Sequence, residues 1–215
     1  MKVLNLYAGI GGNRKLWEGV TVTAVELNEK IAKIYQDFHP NDTVIIGDAH
    51  QYLLDNFEKY DFIWASPPCP THSRPAFIGT YSKTGELLYR PKYPDMKLFE
   101  EVLLLKHYFR GKWVVENVIS FYKPIMNPVE VASHYFWCNF FVKPTTRTMC
   151  REHHGGIDAL QEKKQFDISG YSGIDKIKTL RNCVEPEVGK YIMDYAMQDS
   201  PPMQETLFVE DANNK

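Results

Sequence analysis

The sequence predicts an α/β fold with a doubly wound, mostly parallel sheet. Short apolar runs alternate with helical patterns over the first 117 residues, and this alternation is typical of strand–helix–strand units. Glycines, prolines and acids follow the apolar runs, which is the position of ligand-binding turns in such sheets. The length of 215 residues suits one domain of this class with at most a small appendage.

The strands are assigned from short runs of apolar and β-branched residues. They are predicted over 3–7, 20–25, 43–46, 62–65 and 112–115, with an aromatic strand over 136–142. Helices are predicted where apolar residues recur at helical spacing: 13–18, 28–38 with Asn28 as the cap, 49–57, 95–109 and 186–197. The polar stretch from Thr145 to Ile177 is predicted to be irregular.

Composition excludes several functional classes. The 25 Lys+Arg against 27 Asp+Glu exclude a strongly basic, histone-like protein. No run of about 18 apolar residues is present, so no membrane span or signal peptide is expected. The four cysteines form no CxxC pair, which favours free thiols in a reducing, cytoplasmic setting. Cys138, Cys150, His153 and His154 lack a standard zinc spacing, so no metal site is predicted.

The acidic and glycine-bearing turns predict a nucleoside-containing cofactor. The run from Tyr7 to Gly12 lets the backbone approach a ligand closely. Glu26 ends the second strand and suits a ribose diol, and Asp48 ends the third and suits an adenine amino group. Taken singly, the glycine run is equally a tight structural turn, and Glu26 a solvent-facing acid. The absence of a GxxxxGK[ST] motif disfavours a nucleoside triphosphate.

The segment Ser66-Pro67-Pro68-Cys69-Pro70 predicts a fixed nucleophile. Prolines stiffen the turn and so fix the direction of the Cys69 thiol, whose pKa His72 and Arg74 are expected to lower. Glu116 leaves the fifth strand at the same edge of the sheet. The alternatives are a buried structural cysteine and an acid that serves only as a helix-cap partner.

Three segments, in this order, resemble the DNA cytosine-5 methyltransferases: Asn5 to Gly12, Ser66 to Cys69, and Glu116-Asn117-Val118. Arg181 to Val188 is similar to the closing Gly-Asn-x-Val-x-Pro motif of that family. The resemblance covers roughly residues 2–118 and 179–197. The short chain looks most like the methyltransferases that bacteriophages carry, of the class found in restriction-modification systems. It implies the sheet of S-adenosylmethionine-dependent methyltransferases.

The resemblance implies S-adenosylmethionine as cofactor and S-adenosylhomocysteine as product. Tyr7 and the glycines would wall the methionine end, Glu26 would bind the ribose and Asp48 the adenine, while Asn182 would close the pocket. The implied cofactor residues are Tyr7, Ala8, Gly9, Ile10, Gly11, Gly12, Glu26, Leu27, Asp48, Ala49, Pro68, Asn182 and Val184.

The resemblance also implies a covalent mechanism on double-stranded DNA. Cys69 would attack C6 of a flipped cytosine, Glu116 would bond N3 and the amino group, and Arg147, or alternatively Arg151, would bond O2. Phosphates would be held by a basic loop containing Arg74, Lys83, Arg90 and Lys92. The alternative for this loop is an ordinary solvated lid.

The chain departs from the family pattern in several places. Asn5 stands where Asp is usual, Pro70 where Gln is common, and no clean Gln-x-Arg-x-Arg segment is present. We predict one methyltransferase domain over 1–198, with a reduced target-recognition region at about 145–180, a closing motif and helix at about 181–198, and a disordered acidic tail over 199–215. Because the recognition region is so small, we expect the protein to recognise a short DNA sequence or to gain its specificity from a protein partner. No oligomeric state is assigned.

Three alternative functions remain open. An RNA cytosine-5 methyltransferase would use the same thiolate chemistry. An adenine N6 or cytosine N4 amino-methyltransferase places an aromatic residue where Cys69 stands, and is disfavoured for that reason. A non-catalytic nucleic-acid-binding derivative is motivated by the short recognition region and disfavoured by the presence of Cys69 and Glu116.

Overall fold

The structure is a computed structural model and describes residues 1–76, 84, 86–88, 90, 92–145 and 156–198. The strands within these ranges are β1 (Lys2–Leu6), β2 (Thr21–Glu26), β3 (Thr43–Ile46), β4 (Phe62–Ala65), β5 (Lys112–Val118), β6 (Val129–Val131) and β7 (His134–Cys138). The helices there are α1 (Glu29–Phe38), α2 (Ala49–Asn56), α3 (Lys97–Tyr108), α4 (Ile157–Lys164), α5 (Lys176–Arg181) and α6 (Pro186–Ala196).

In the described residues, the strands form one seven-stranded sheet in the order β3-β2-β1-β4-β5-β7-β6. Strands β1 to β5 are parallel, whereas β7 runs antiparallel to β5 and forms a hairpin with β6. The strand order reverses between β1 and β4, which is the switch point where such sheets bind ligands. This topology confirms the predicted α/β fold.

Both faces of the sheet are covered, which explains why β4 is apolar throughout and β1 is mostly apolar. Val3, Phe62 and Val114 pack with Trp17 and helix α6 on one face. Leu4, Ile63 and their neighbours pack with α2 and α3 on the other. The side chains of β1 alternate between these two clusters. The pairing register of β1 therefore determines which residues of the turn that follows it lie at the carboxyl edge of the sheet.

Three secondary-structure predictions were wrong. Residues 13–16 form turns and 17–18 are irregular rather than helical, because the Trp17 side chain inserts into the core and donates to the Gly189 carbonyl at 3.0 Å. The aromatic strand ends at Cys138, because the Asn139 side chain accepts from the Trp113 amide at 2.9 Å and so replaces a ladder bond. The segment predicted to be irregular contains α4 and the first two residues of α5.

The apolar residues of the α4–α5 segment explain its structure. Leu160, Phe166 and Leu180 form a small core with Ile10 and Ile34, so this segment packs against α1 and the glycine turn. Among the helices of the described ranges, none has the length and apolar character that crossing a membrane requires.

Candidate active site

A cavity of about 720 Å³ opens at the carboxyl edge of the sheet, beside the switch point. The turns after β1 and β4, the ends of β2, β3 and β5, and residues between 173 and 185 line it. Its volume lies in the range of small-molecule sites. It therefore gathers residues from all the turns that the sequence singled out.

The cavity is lined by most of the predicted cofactor residues: Tyr7, Ala8, Gly9, Gly12, Glu26, Leu27, Asp48, Ala49, Pro68, Asn182 and Val184. Ile10 and Gly11 do not line it. Ile10 is buried in the small core against α1, and a side chain at Gly11 would clash with Tyr35 and His39. These two positions shape the turn rather than the cavity wall.

Glu26 links the glycine turn to the start of α1 through two hydrogen bonds. Its Oε2 accepts from the Gly9 amide at 3.0 Å and its Oε1 accepts from the Asn28 amide at 2.9 Å. Gly9 has φ +56°, a conformation that glycine adopts without steric cost. Each carboxylate oxygen has a second lone pair, so Glu26 retains acceptor capacity for a diol in the cavity.

A buried polar network lies behind the Tyr7 side chain. The Tyr7 hydroxyl donates to the Glu101 carboxylate, whose Oε1 also lies 3.0 Å from Nδ1 of His50. Glu101 is fully buried. Burial and the charge of Glu101 raise the pKa of Tyr7 above its ordinary value, and the hydrogen bond to Glu101 raises the pKa of His50. Tyr7 is therefore a fixed, neutral wall of the cavity.

Asp48 has a local structural task as well as its place in the cavity. It is the N-cap of α2, and its side chain accepts from the Gln51 amide at 3.0 Å. This hydrogen bond lowers the pKa of the Asp48 carboxyl. The residue is thus an exposed anion at the edge of the cavity.

Asn117 fixes the Pro-Pro-Cys turn to the end of β5. Its side-chain amide donates to the Pro67 carbonyl at 2.9 Å, and its oxygen accepts from the Val118 amide at 3.0 Å. The Cys69 carbonyl accepts from the amides of His72 and Ser73. The turn that carries Cys69 is therefore held from both sides.

The environment of Cys69 differs from the sequence prediction. Burial, and then the negative charge of Glu116, raise the pKa of its thiol above the ordinary value. The prediction that His72 and Arg74 would lower this pKa was wrong. Burial lowers the pKa of His72, whose Nδ1 lies 2.6 Å from the Tyr122 hydroxyl, and Arg74 is exposed.

Glu116 lies in the cavity next to a residue that the sequence analysis missed. Its side chain is 10% exposed, and its Oε1 lies 3.8 Å from Nε2 of His134. His134 begins β7 and lines the same cavity. The sequence predicts a strand over the aromatic run that follows His134, but it does not show how this strand pairs with β5.

The closing segment docks directly on the glycine turn. A side chain at Gly12 would clash with the Val184 carbonyl and the Cys183 sulfur. Lys164, buried in α4, donates to Glu185 Oε1 at 2.8 Å and also to the Cys183 carbonyl. Burial favours the neutral Glu185 acid, but the charges of Lys164 and Lys163 outweigh it and lower its pKa to about 2.

The predicted nucleic-acid residues are only partly within the described ranges. Arg74, Arg90 and Lys92 are exposed, and the last two line a smaller cavity of about 360 Å³ with Pro70 and Ala76. Lys83, Arg147, Arg151, Cys150, His153 and His154 lie outside the described residues, as does the predicted tail. Within the described residues, no cluster of three potential metal ligands occurs.

A model of one protein family matches the amino-terminal part of the chain. Residues 1–90 match the family model described as C-5 cytosine-specific DNA methylase. This match confirms the resemblance for the glycine turn and the Pro-Pro-Cys turn, whereas Glu116 and the closing segment lie beyond the matched residues. No curated protein sequence shows significant similarity to this chain.

Several solved structures share part of the fold. A SAM-dependent methyltransferase from Agrobacterium tumefaciens is 18% identical over 57% of this chain and 40% of its own, with a TM-score of 0.37. A DNMT2 variant from Spodoptera frugiperda is 21% identical over 54% of this chain and 35% of its own, at 0.36. A protein described as a DNA modification methyltransferase of an Escherichia coli prophage is 18% identical over 57% and 33%, at 0.37. The chain thus corresponds to less than half the length of these three proteins.

Proposed function

We propose that this protein transfers a methyl group from S-adenosylmethionine to C5 of cytosine in DNA. The observation that carries the proposal is the convergence of Cys69, Glu116 and the glycine turn on one cavity. The family match of residues 1–90 supports it. We place the reaction in the cytoplasm of a bacterial or phage-infected cell.

The cavity residues fit S-adenosylmethionine. Glu26 keeps acceptor capacity for the ribose hydroxyls, Asp48 is an exposed acceptor at the adenine end, and Tyr7 forms an uncharged wall. When bound, S-adenosylmethionine supplies an electrophilic methyl group on a sulfonium. Gly12 allows Cys183 and Val184 to close against the turn, because no side chain separates them.

Cys69 is the proposed nucleophile. Its thiolate forms a bond to C6 of the base, and the ring electrons shift toward C5, which then accepts the methyl group. Loss of the C5 proton and departure of the Cys69 thiolate restore the aromatic ring. Since the thiol pKa is raised in the protein alone, the thiolate fraction limits this attack near neutral pH.

Glu116 is the proposed partner of the base edge. As the thiolate attacks, negative charge develops at N3 of the ring, and Glu116 in its protonated form stabilises this charge by donating a hydrogen bond to N3. The same group accepts from the exocyclic amine and so selects cytosine. Because the target atom of a duplex base is stacked, we propose that the base is flipped into the cavity.

The exposed residues Arg74, Arg90 and Lys92 are proposed to hold DNA phosphates. From the resemblance alone, Lys83 is assigned to the same phosphates and Arg147 to O2 of cytosine. A protein partner is one source of target specificity in so short a chain.

The experiment is methyl transfer from tritiated S-adenosylmethionine to a DNA duplex and to an RNA of the same sequence. Digestion to nucleosides identifies the product. We expect 5-methylcytosine in DNA from the wild-type protein and none from Cys69→Ser, which should still bind the cofactor. N4-methylcytosine or N6-methyladenine would contradict the proposal, and labelling of the RNA alone would assign the activity to RNA.

A further inference from the structure

His134 occupies an unusual place between a strained hairpin and the cavity. Ala132 and Ser133 form the turn that joins β6 to β7, and both have positive φ, +48° and +69°. Residues with side chains avoid this region, and two-residue hairpins usually place glycine or asparagine there. The strain at this turn sets where the first residue of β7 lies, and strained backbone of this kind clusters at functional sites.

The two ring nitrogens of His134 face different partners. Nδ1 lies 3.3 Å from the Ala132 carbonyl oxygen, which only accepts hydrogen bonds, so Nδ1 carries a proton. Nε2 lies 3.8 Å from Oε1 of Glu116. With Nδ1 protonated, Nε2 carries a proton only when the ring is an imidazolium. The neutral ring instead turns a lone pair toward the carboxylate.

The surroundings of His134 are acidic. Glu116 faces it from β5, and Glu185, at the start of α6, is close enough for the two charges to interact. Lys164 and Lys163 pair with Glu185 and compensate that charge, whereas no described cation pairs with Glu116. The His134 side chain is 28% exposed and lines the cavity rather than the core.

We propose that His134 is a positioning residue for Glu116. Its imidazolium pairs with Oε1 and leaves the other carboxyl oxygen for the base edge. This inference rests on the proposed function of Glu116.

The first test is single-turnover methyl transfer by two His134 variants. His134→Gln should be about tenfold slower than the wild-type protein, because Glu116 loses its orientation. His134→Arg should recover most of the rate, because a guanidinium restores a cation beside Glu116.

The matched control is His107→Gln, because His107 lies in α3 and does not line the cavity. It should keep the wild-type rate, and thermal unfolding should show all three variants folded. A His134→Gln variant that keeps the wild-type rate, or a His134→Arg variant as slow as His134→Gln, would overturn the proposal.

A second readout does not depend on methyl transfer. Crystal structures of the wild-type protein and of His134→Gln compare the orientation of Glu116 directly. We expect the Glu116 carboxylate to face residue 134 in the wild-type protein and to turn away in the variant. An unchanged Glu116 orientation would contradict the inference, whereas absent methyl transfer with the expected rotation would contradict only the proposed function.

Discussion

At the scale of single residues, Cys69 and Glu116 oppose each other electrostatically. Glu116 adds a negative charge beside a half-buried thiol, and both burial and this charge raise the thiol pKa. As the proposed nucleophile, Cys69 would be protected in this state from adventitious reaction near neutral pH. We propose that its activation requires the substrate to engage Glu116.

This opposition predicts the reactivity of Cys69 toward iodoacetamide. Glu116→Gln removes the negative charge, so the thiol pKa should fall and alkylation at about pH 8 should become up to about tenfold faster. Peptide mapping distinguishes Cys69 from Cys138 and Cys183, whose pKa values burial raises to about 11 and about 12. Equal or slower alkylation of Cys69 in the variant would show that Glu116 does not act on the thiol.

At the scale of elements, α4 and α6 are joined by one buried ion pair. Lys164 and Glu185 are almost fully buried, and the pair fixes the closing segment beside the glycine turn. Removing one partner of a buried pair leaves an uncompensated charge, which costs more free energy than the pair itself contributes.

The depressed pKa of Glu185 predicts a pH-dependent contribution to stability. The folded value of about 2 lies below the ordinary 4.5, so the carboxylate stabilises the protein above the ordinary value, and this stabilisation is lost as the pH falls toward about 2. Glu185→Gln should lower the free energy of unfolding by about 3 kcal/mol at neutral pH. Urea titrations should show the difference shrinking below about pH 4.5; a difference independent of pH would exclude this charge as its source.

At the scale of the whole molecule, the amino-terminal turn and the carboxy-terminal segment form one wall of the cavity. Gly12 lies against Val184, and Gly189 of α6 lies against the backbone of Asn13. The cofactor end is therefore complete only when the chain has folded back onto its first turn.

Gly12→Ala tests this closure. Its methyl group would meet the Val184 carbonyl, so we expect a loss of about 2 kcal/mol in unfolding free energy and weaker binding of S-adenosylhomocysteine. Gly47→Ala is the matched control, because a side chain there has open space. Calorimetry measures both effects, and equal behaviour of the two variants would disprove the closure.

The sequence predicted the sheet and most of the cavity because these depend on local signals. Apolar runs define β1 to β5, and the turns after them meet at one edge by topology alone. His134 and the Lys164–Glu185 pair were missed because they depend on packing. The place of His134 depends on the register of β7 against β5, and the ion pair depends on the packing of α4 against the start of α6. Residues 13–18 were misassigned because the burial of Trp17 overrides a helical pattern.

A DNA duplex containing 5-fluorocytosine shows whether Cys69 forms the proposed covalent bond to cytosine. Fluorine cannot leave C5 as a proton does, so the methylated adduct stays bound to the thiol. With S-adenosylmethionine present, we predict a denaturant-stable protein–DNA complex whose cross-linked peptide contains Cys69, and none with Cys69→Ser. Methylation of normal DNA without any trapped complex, or trapping that persists in Cys69→Ser, would contradict the account.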